Sequence, residues 1–321
     1  MSNIIQEINE IQVHSIPEFV EKILDFEHEE DCTVYFRGED KDYKDTAFQP
    51  SIYRNTKHLE NEYRIYREMQ RFNDHEFIED KSAFDKLSRM QHYLAPTRLI
   101  DFSEDALTAL YFAVETRKTC DDAIVYVTAV ANDKIKYYDS DAVSVISNLA
   151  KLPLNDKSEK YYKSEKFKQA IAESAKKSLK NSHRCDPVKC FNTEKSAGFL
   201  LHEIKEEKGY FSHIIDPQHI FSVQFVKPKL TNTRIYGQKG AFLLFGLNCE
   251  NVNKHIPIIQ YDEKTKTSTL FNDDCYSHPI IKIMKVRVSC LITLDHLKKM
   301  GVTKPYIYTG MDKVSEHLKT V

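Results

Sequence analysis

The sequence has little glycine and no tryptophan, and the glycine shortage already excludes several functions. Only 8 glycines stand among 321 residues, against an average usage of about 7%. The motifs GxGxxG, GxxxxGK[ST], GxSxG and HExxH are all absent. The first three are the glycine-rich loops that bind phosphates or expose a catalytic serine. The sequence therefore argues against the common kinases, P-loop NTPases, Rossmann dehydrogenases and serine hydrolases.

An excess of charge and a long apolar run are also missing. The 46 basic and 48 acidic side chains give a formal net charge of -2, so bulk electrostatics does not favour coating of nucleic acid or of an anionic membrane. No apolar run approaches the ~20 residues that span a bilayer. Residues 1–7 lack the basic and apolar regions of a signal peptide. We expect a cytoplasmic protein without a membrane partner.

The seven cysteines do not form a disulfide or metal-binding pattern. They are odd in number and mostly far apart, which favours reduced thiols. Cys185 and Cys190 lie close to His183, but no second ligand pair at short spacing accompanies them, so we predict no metal site. A metal-dependent nuclease is disfavoured for the same reason.

Helix and strand patterns mix without βαβ regularity, which predicts an α+β fold. We expect one domain over 1–321 with a lysine-rich helical insertion at about 151–205. Within it, the lysine-dense stretch 155–180 indicates a peripheral, solvated helix, and a nucleic-acid surface is the alternative. The predicted elements that matter below are helices at 4–26, 57–77, 82–92 and 104–117, and strands at 33–36, 97–102 and 123–130.

Several polar residues fall at predicted element ends, where functional side chains are common. Arg98 and Asp101 are three residues apart on one predicted strand, so their side chains should project to opposite faces. One of them should then face a cleft. Each residue also has a structural explanation, such as an ion pair or a helix cap. The set is Arg37, Gln91, His92, Arg98, Asp101 and Gln238.

The ordered motifs of the chain resemble the FRG-domain family. They are Phe36-Arg37-Gly38, Pro50-Ser51-Ile52-Tyr53-Arg54, the block from Gln91 to Phe102, Ala109-Leu110-Tyr111-Phe112-Ala113, and Arg234-Ile235 followed by Gln238-x-Gly240-Ala241-Phe242. The third is similar to the family's Gln-His-Tyr-Gly-Leu-Pro-Thr-Arg-Leu-Leu-Asp-Trp, with Leu94-Ala95 replacing Gly-Leu and Phe102 replacing Trp. The tripeptide alone could occur by chance, whereas the ordered set is specific.

A second resemblance is to the ADP-ribosyltransferases, and it implies a mixed or antiparallel split β-sheet flanked by helices. In that superfamily an early strand carries Arg-Gly and a later strand carries the catalytic Glu. The resemblance implies that Arg37 binds the NAD pyrophosphate, that Gly38 and Thr97 also contact NAD, and that Arg98 positions ribose or phosphate. It also implies that His92 positions ribose or phosphate and that Gln238 hydrogen-bonds ribose or acceptor. Gly240 stands in place of the catalytic Glu, so that role is vacant unless Asp101 or Glu104 fills it.

Two functional hypotheses follow from these resemblances. The first is an ADP-ribosyltransferase or NAD glycohydrolase with Arg37, His92, Asp101 and Gln238 in the active site, NAD as substrate and no metal. Its acceptor would be protein, nucleic acid or water, and the resemblance implies a bacterial toxin or phage-defence context. The alternative is a non-catalytic FRG module that binds a nucleotide or nucleic acid in the same pocket.

Overall fold

A mixed sheet of eight strands organises the protein. The computed structural model describes residues 7–118, 121–154, 168–229, 240–271, 276 and 278–308. With strands numbered along the chain, the spatial order is β1 (Asn9–Val13), β10 (Ile280–Val288), β4 (Ala123–Ala131), β2 (Cys32–Glu39), β3 (Leu99–Ser103), β7 (Gly240–Phe245), β6 (Val223–Lys227) and β5 (Ile135–Tyr137). The outer pairs β1–β10 and β5–β6 are parallel and the inner pairs are antiparallel. A separate hairpin joins β8 (Ile259–Asp262) to β9 (Thr267–Leu270).

Helices flank this sheet, as expected for an α+β fold. Along the chain they are α1 (Ile16–Leu24), α2 (Thr56–Glu60), α3 (Glu62–Phe72), α4 (Ala83–His92), α5 (Ala106–Glu115), α6 (Asp141–Asn148), α7 (Lys168–Lys180), α8 (Pro187–Asn192), α9 (Lys195–Lys205), α10 (Pro217–Ile220), α11 (Leu294–Lys299) and α12 (Lys304–Ile307). Short 3-10 turns lie at Lys44–Thr46, Ser51–Arg54, Asp74–Phe77, Asn132–Lys134 and Leu149–Lys151. None of the described helices is both long and apolar enough to cross a bilayer.

The helices pack in two groups on two hydrophobic clusters. Helices α1, α5, α11 and α12 share a core with β1, β2, β4 and β10, through residues such as Phe19, Leu110 and Val286. Helices α3, α4 and α6 to α9 share a larger core with β7, through residues such as Phe84 and Phe242. The rings of Phe84 and Phe242 meet edge to face at 6.0 Å. The two groups therefore cover different parts of the sheet.

Pairing is weakest in the middle of the sheet, between β2 and β3. Phe36 pairs with Ser103, and no other residue pair joins these two strands. On their outer sides β2 pairs with β4 over its whole length and β3 pairs with β7 over its whole length. The sheet is thus mixed and continuous, and with its flanking helices it confirms the predicted α+β class.

Two predicted helices differ from the structure. The segment predicted as a helix over 4–26 contains β1, which pairs in parallel with β10, and then α1. That prediction was wrong because the spacing of Ile11 and Val13 fits a strand as well as a helix, and only the partner strand decides between them. The predicted helix at 57–77 is divided into α2, α3 and a 3-10 turn, with breaks at Asn61 and Asn73.

The lysine-rich segment packs more tightly than a peripheral helix would. Residues 155–167 lie outside the described residues. From Lys168 onward, α7 buries Ile171 and Ala175 in the larger core, and α8 and α9 add Phe191 and Leu200. The expectation of a solvated helix was therefore wrong for α7, whose buried stripe lies among its lysines.

The expectation of reduced thiols is wrong for one pair of cysteines. Cys185 and Cys190 form a disulfide that closes the turn between α7 and α8, with a Cα–Cα distance of 6.3 Å. Cys32, Cys249 and Cys290 are free. The short separation of five residues in the sequence was the available signal for this bond.

Candidate functional site

A cleft of about 280 Å³ opens beside β2 and β3, the two strands joined by a single residue pair. It is lined by Arg37 from β2, by Leu99, Ile100 and Asp101 from β3, by Phe242 from β7, by Gln49, Ser51 and Arg54, and by Ser88, Gln91, His92, Leu94 and Ala95 from the end of α4 and its loop. Three residues of the predicted active site, Arg37, His92 and Asp101, thus come together here. The fourth, Gln238, lies outside the described residues.

The side chain of Arg37 connects β2 to β3 where the backbone pairing of these two strands stops. Its Nη1 donates to the Asp101 carbonyl at 3.0 Å, and its Nε donates to Oε1 of Glu39 at 3.0 Å. Nη2 donates to no acceptor among the described residues. The side chain therefore replaces part of the missing strand pairing and keeps donor capacity for a ligand. The prediction that Arg37 ends a strand was wrong, because β2 stays paired with β4 as far as Glu39.

Gly38 serves helix packing on the other side of β2. A Cβ at this position would lie 1.9 Å from the Ala109 carbonyl oxygen and 2.7 Å from the Ala113 nitrogen. The missing side chain lets α5 approach the strand, and any other residue would push the helix away. Gly38 therefore has a packing role, and its contact with a cofactor stays a prediction.

Asp101 is held by a chain of hydrogen bonds that ends at its carboxylate. The backbone N–H of Thr97 donates to Oγ of Ser51 at 3.1 Å, and Oγ1 of Thr97 donates to Oε1 of Gln91 at 2.5 Å. Nε2 of Gln91 then donates to Oδ2 of Asp101 at 3.0 Å. The Asp101 side chain is exposed to the cleft. Thr97 is fully buried, so its predicted contact with a cofactor is corrected to a role in orienting Gln91.

Arg54 lines the cleft although it is not among the predicted site residues. Its side chain is exposed, and Nε donates to the Gln49 carbonyl at 3.2 Å. Neither of its Nη atoms has an acceptor among the described residues. The motif Pro50–Arg54 was the signal that could have identified Arg54 and Ser51, and Gln49 directly precedes that motif.

Arg98 lies behind the cleft in a buried ion pair. Its Nε and Nη2 donate to Oε1 and Oε2 of Glu62 at 2.8 and 2.5 Å, and its Nη1 donates to the Phe245 carbonyl at 2.8 Å. Nζ of Lys168 contacts the same Glu62 carboxylate. All three side chains are almost completely buried. The predicted contact of Arg98 with a cofactor is corrected to a structural role, because each guanidinium nitrogen is already used inside the protein.

The buried charges of Glu62, Arg98 and Lys168 affect one another's pKa values. Burial alone would raise the pKa of Glu62, but the charges of Arg98 and Lys168 outweigh it and lower that pKa to about 2. Burial lowers the pKa of the Lys168 ammonium to about 8, against the opposing attraction of Glu62. Two cations therefore share one buried carboxylate, and the stability of the site depends on that carboxylate staying ionised.

The chemistry of the cleft follows from these residues. Two guanidinium groups with open donors, Arg37 and Arg54, suit a phosphate or pyrophosphate, since Arg binds such groups through paired hydrogen bonds. Asp101 supplies one negative charge, and His92 stands at the rim with its ring 5.0 Å from that of Tyr93. The described residues contain no group of three or more His, Cys, Asp or Glu that could hold a metal ion.

The comparison with protein families agrees with the motifs of the sequence. Residues 32–122 match the FRG domain, which confirms the resemblance to the FRG-domain family for that part of the chain. The matched range includes every lining residue of the cleft except Phe242. No curated protein and no solved structure matches the chain.

Proposed function

We propose that this FRG-domain protein binds NAD in the cleft and breaks its nicotinamide–ribose bond, transferring ADP-ribose to an acceptor or to water. The observation that carries the proposal is the presence, in one cleft, of two arginines with open donors and one exposed carboxylate. The residues fit such a substrate: Arg37 and Arg54 would bind the pyrophosphate, and Asp101 would lie beside the ribose. Ligand pockets typically enclose ~300–1,000 Å³. A cleft of about 280 Å³ therefore takes only part of the dinucleotide, and we place the nicotinamide riboside inside it.

The proposed reaction needs charge stabilisation at one carbon. As the C–N bond breaks, its electron pair leaves with nicotinamide, and positive charge develops on the ribosyl carbon and ring oxygen. The Asp101 carboxylate stabilises that charge. A nucleophilic oxygen or nitrogen of the acceptor then forms the new bond and releases a proton. Gln91 holds Oδ2 of Asp101, which keeps the carboxylate in one orientation while the reaction proceeds.

A non-catalytic nucleotide-binding module is the second candidate, and one observation favours it. Asp101 is the only carboxylate among the residues that line the cleft in the described part of the chain. One of its oxygens is already bonded to Gln91. Under this alternative the two arginines bind the phosphates of a nucleotide and no bond is broken.

The two candidates are separated by measuring turnover and binding on the same protein. Purified protein is incubated with NAD, with and without cell extract, and free nicotinamide and transferred ADP-ribose are followed. If the protein is an enzyme, it releases nicotinamide, and Asp101→Asn lowers the rate of release at least tenfold without loss of NAD binding. Saturable NAD binding without turnover supports the binding module. Absence of both turnover and binding contradicts the proposal.

A further inference from the structure

Leu94 stands at the rim of the cleft in a conformation and an environment that are both unfavourable for leucine. Its φ is +61°, in the left-handed region that residues with a Cβ rarely adopt. Its side chain is 85% exposed, so it contributes almost nothing to a hydrophobic core. The left-handed conformation costs a non-glycine residue about 1–2 kcal/mol.

The backbone at this position is fixed by the way α4 ends. The N–H of Leu94 donates to the Gln91 carbonyl at 3.0 Å, and the N–H of Ala95 donates to the Met90 carbonyl at 3.0 Å. This pair of bonds is the Schellman motif, whose left-handed residue is usually glycine and sometimes asparagine. The loop geometry therefore explains the positive φ, but it does not explain why a leucine occupies the position.

Phe48 has a similar backbone conformation, and there packing inside the protein explains it. It also has a positive φ, of +59°, but it is fully buried. Its ring lies 5.8 Å from that of Phe102 and 4.7 Å from that of Tyr126, so core packing offsets the unfavourable backbone. Leu94 is not buried in this way. An apolar contact with a bound ligand would offset its unfavourable backbone conformation.

The position of Leu94 identifies the part of the ligand that it would contact. The carbonyl of Gln91 accepts from the Leu94 N–H, and the side-chain amide of Gln91 donates to Asp101. Leu94 and Asp101 are therefore both hydrogen-bonded to Gln91, and all three residues line the cleft. We propose that Leu94 packs against the nicotinamide ring of bound NAD and so determines recognition of that ring. This inference rests on the proposed function, in which Asp101 lies beside the ribose that carries nicotinamide.

The test compares two substitutions and two ligands by equilibrium binding. Leu94→Asn keeps a residue suited to the left-handed backbone but removes the apolar contact, whereas Leu94→Met keeps an apolar chain of similar size. ADP-ribose lacks nicotinamide and retains the rest of the dinucleotide. We expect Leu94→Asn to weaken NAD binding about tenfold, the loss that follows from removing one apolar side-chain contact. We expect ADP-ribose binding to be unchanged and Leu94→Met to bind both ligands as the unmodified protein does.

A matched control is Ile78→Asn, which removes another exposed apolar side chain, 78% exposed, that does not line the cleft. It should leave NAD binding unchanged. The melting temperature of Leu94→Asn should equal or exceed that of the unmodified protein, because asparagine tolerates the backbone better.

Three results would overturn the inference: unchanged NAD binding in Leu94→Asn, an equal loss for NAD and ADP-ribose, or a fall in melting temperature that accounts for the weaker binding. Failure of the unmodified protein to bind NAD at all would instead contradict the proposed function, so the two failures are distinguishable.

Discussion

Arg37 and Arg98 each bind one carboxylate and one backbone carbonyl, but they do so in different surroundings. Arg98 uses all three guanidinium nitrogens on Glu62 and on the Phe245 carbonyl, and it is fully buried. Arg37 uses two nitrogens on Glu39 and on the Asp101 carbonyl, at the wall of a cleft. Both arginines belong to motifs of the same domain. Burial and the number of open donors, rather than motif membership, separate the structural arginine from the one available to a ligand.

The largest expected effect is a loss of stability on replacing the glutamate that pairs with each arginine, Glu62 for Arg98 and Glu39 for Arg37. Glu62→Gln leaves Arg98 and Lys168 buried without a counter-charge, and loss of one partner of a buried ion pair costs about 3–5 kcal/mol. Glu39→Gln should cost only about 1–2 kcal/mol, because Arg37 can reach water through the cleft. Urea unfolding of both variants measures the difference, and equal losses would remove the contrast between the two regions.

Acid should destabilise the buried region through Glu62. Its pKa is lowered in the folded protein from an ordinary 4.5 to about 2, so its contribution to stability is complete above pH 4.5 and is lost as the pH falls toward 2. Between these values the free energy of unfolding should fall more steeply for the unmodified protein than for Glu62→Gln. The same slope in both proteins would show that Glu62 does not titrate as the structure requires.

Replacing each arginine by lysine should separate ligand binding from stability. Arg37→Lys keeps the charge but loses the planar fork, and we expect NAD affinity to fall about ten- to hundredfold, the equivalent of ~1.5–3 kcal/mol for charged hydrogen bonds. Arg98→Lys should lower the melting temperature and leave NAD affinity within about twofold when measured on folded protein. Titration calorimetry and thermal unfolding on both variants give the result. Loss of affinity in both variants without loss of stability would place Arg98 in the site after all.

The smallest expected effect is at Gln91, which links the buried Thr97 to the exposed Asp101. Gln91→Glu places a second carboxylate next to Asp101, where the amide now donates at 3.0 Å. We expect kcat/KM to fall by up to about tenfold, because the second negative charge repels the Asp101 carboxylate and the amide donor is lost. Gln91→Leu removes the same hydrogen bond without adding a charge, and an equal fall of kcat/KM in that variant would contradict the electrostatic explanation.

The spacing of residues along one strand, β3, predicted how two of its side chains are oriented. Because Arg98 and Asp101 are three residues apart, their side chains point to opposite faces, and the structure has Asp101 in the cleft and Arg98 in the core. Which of the two faces the cleft could not be predicted. The partner that draws Arg98 inward, Glu62, lies 36 residues earlier, and Lys168 lies on a different helix.

The same limit explains the wrong predictions in the fold. Gly38 and Glu39 resemble the start of a turn, but pairing with β4 extends the strand through both residues. The need for a glycine comes from the backbone of α5, which is more than 60 residues away in the chain and at contact distance in space. Periodicity shows which residues are apolar, whereas strand partners and close helix approaches depend on contacts that the local sequence does not encode.

Binding of NAD in the cleft is tested most directly by calorimetric titration of NAD into three proteins: the unmodified protein, Arg54→Ala and Arg71→Ala. Arg54 is exposed in the cleft and can be removed without stranding a buried charge, while Arg71 is an exposed arginine paired with Glu68 and does not line the cleft. We expect saturable binding by the unmodified protein and by Arg71→Ala, and at least tenfold weaker binding by Arg54→Ala. No saturable binding by the unmodified protein, or equal affinity in all three proteins, would contradict it.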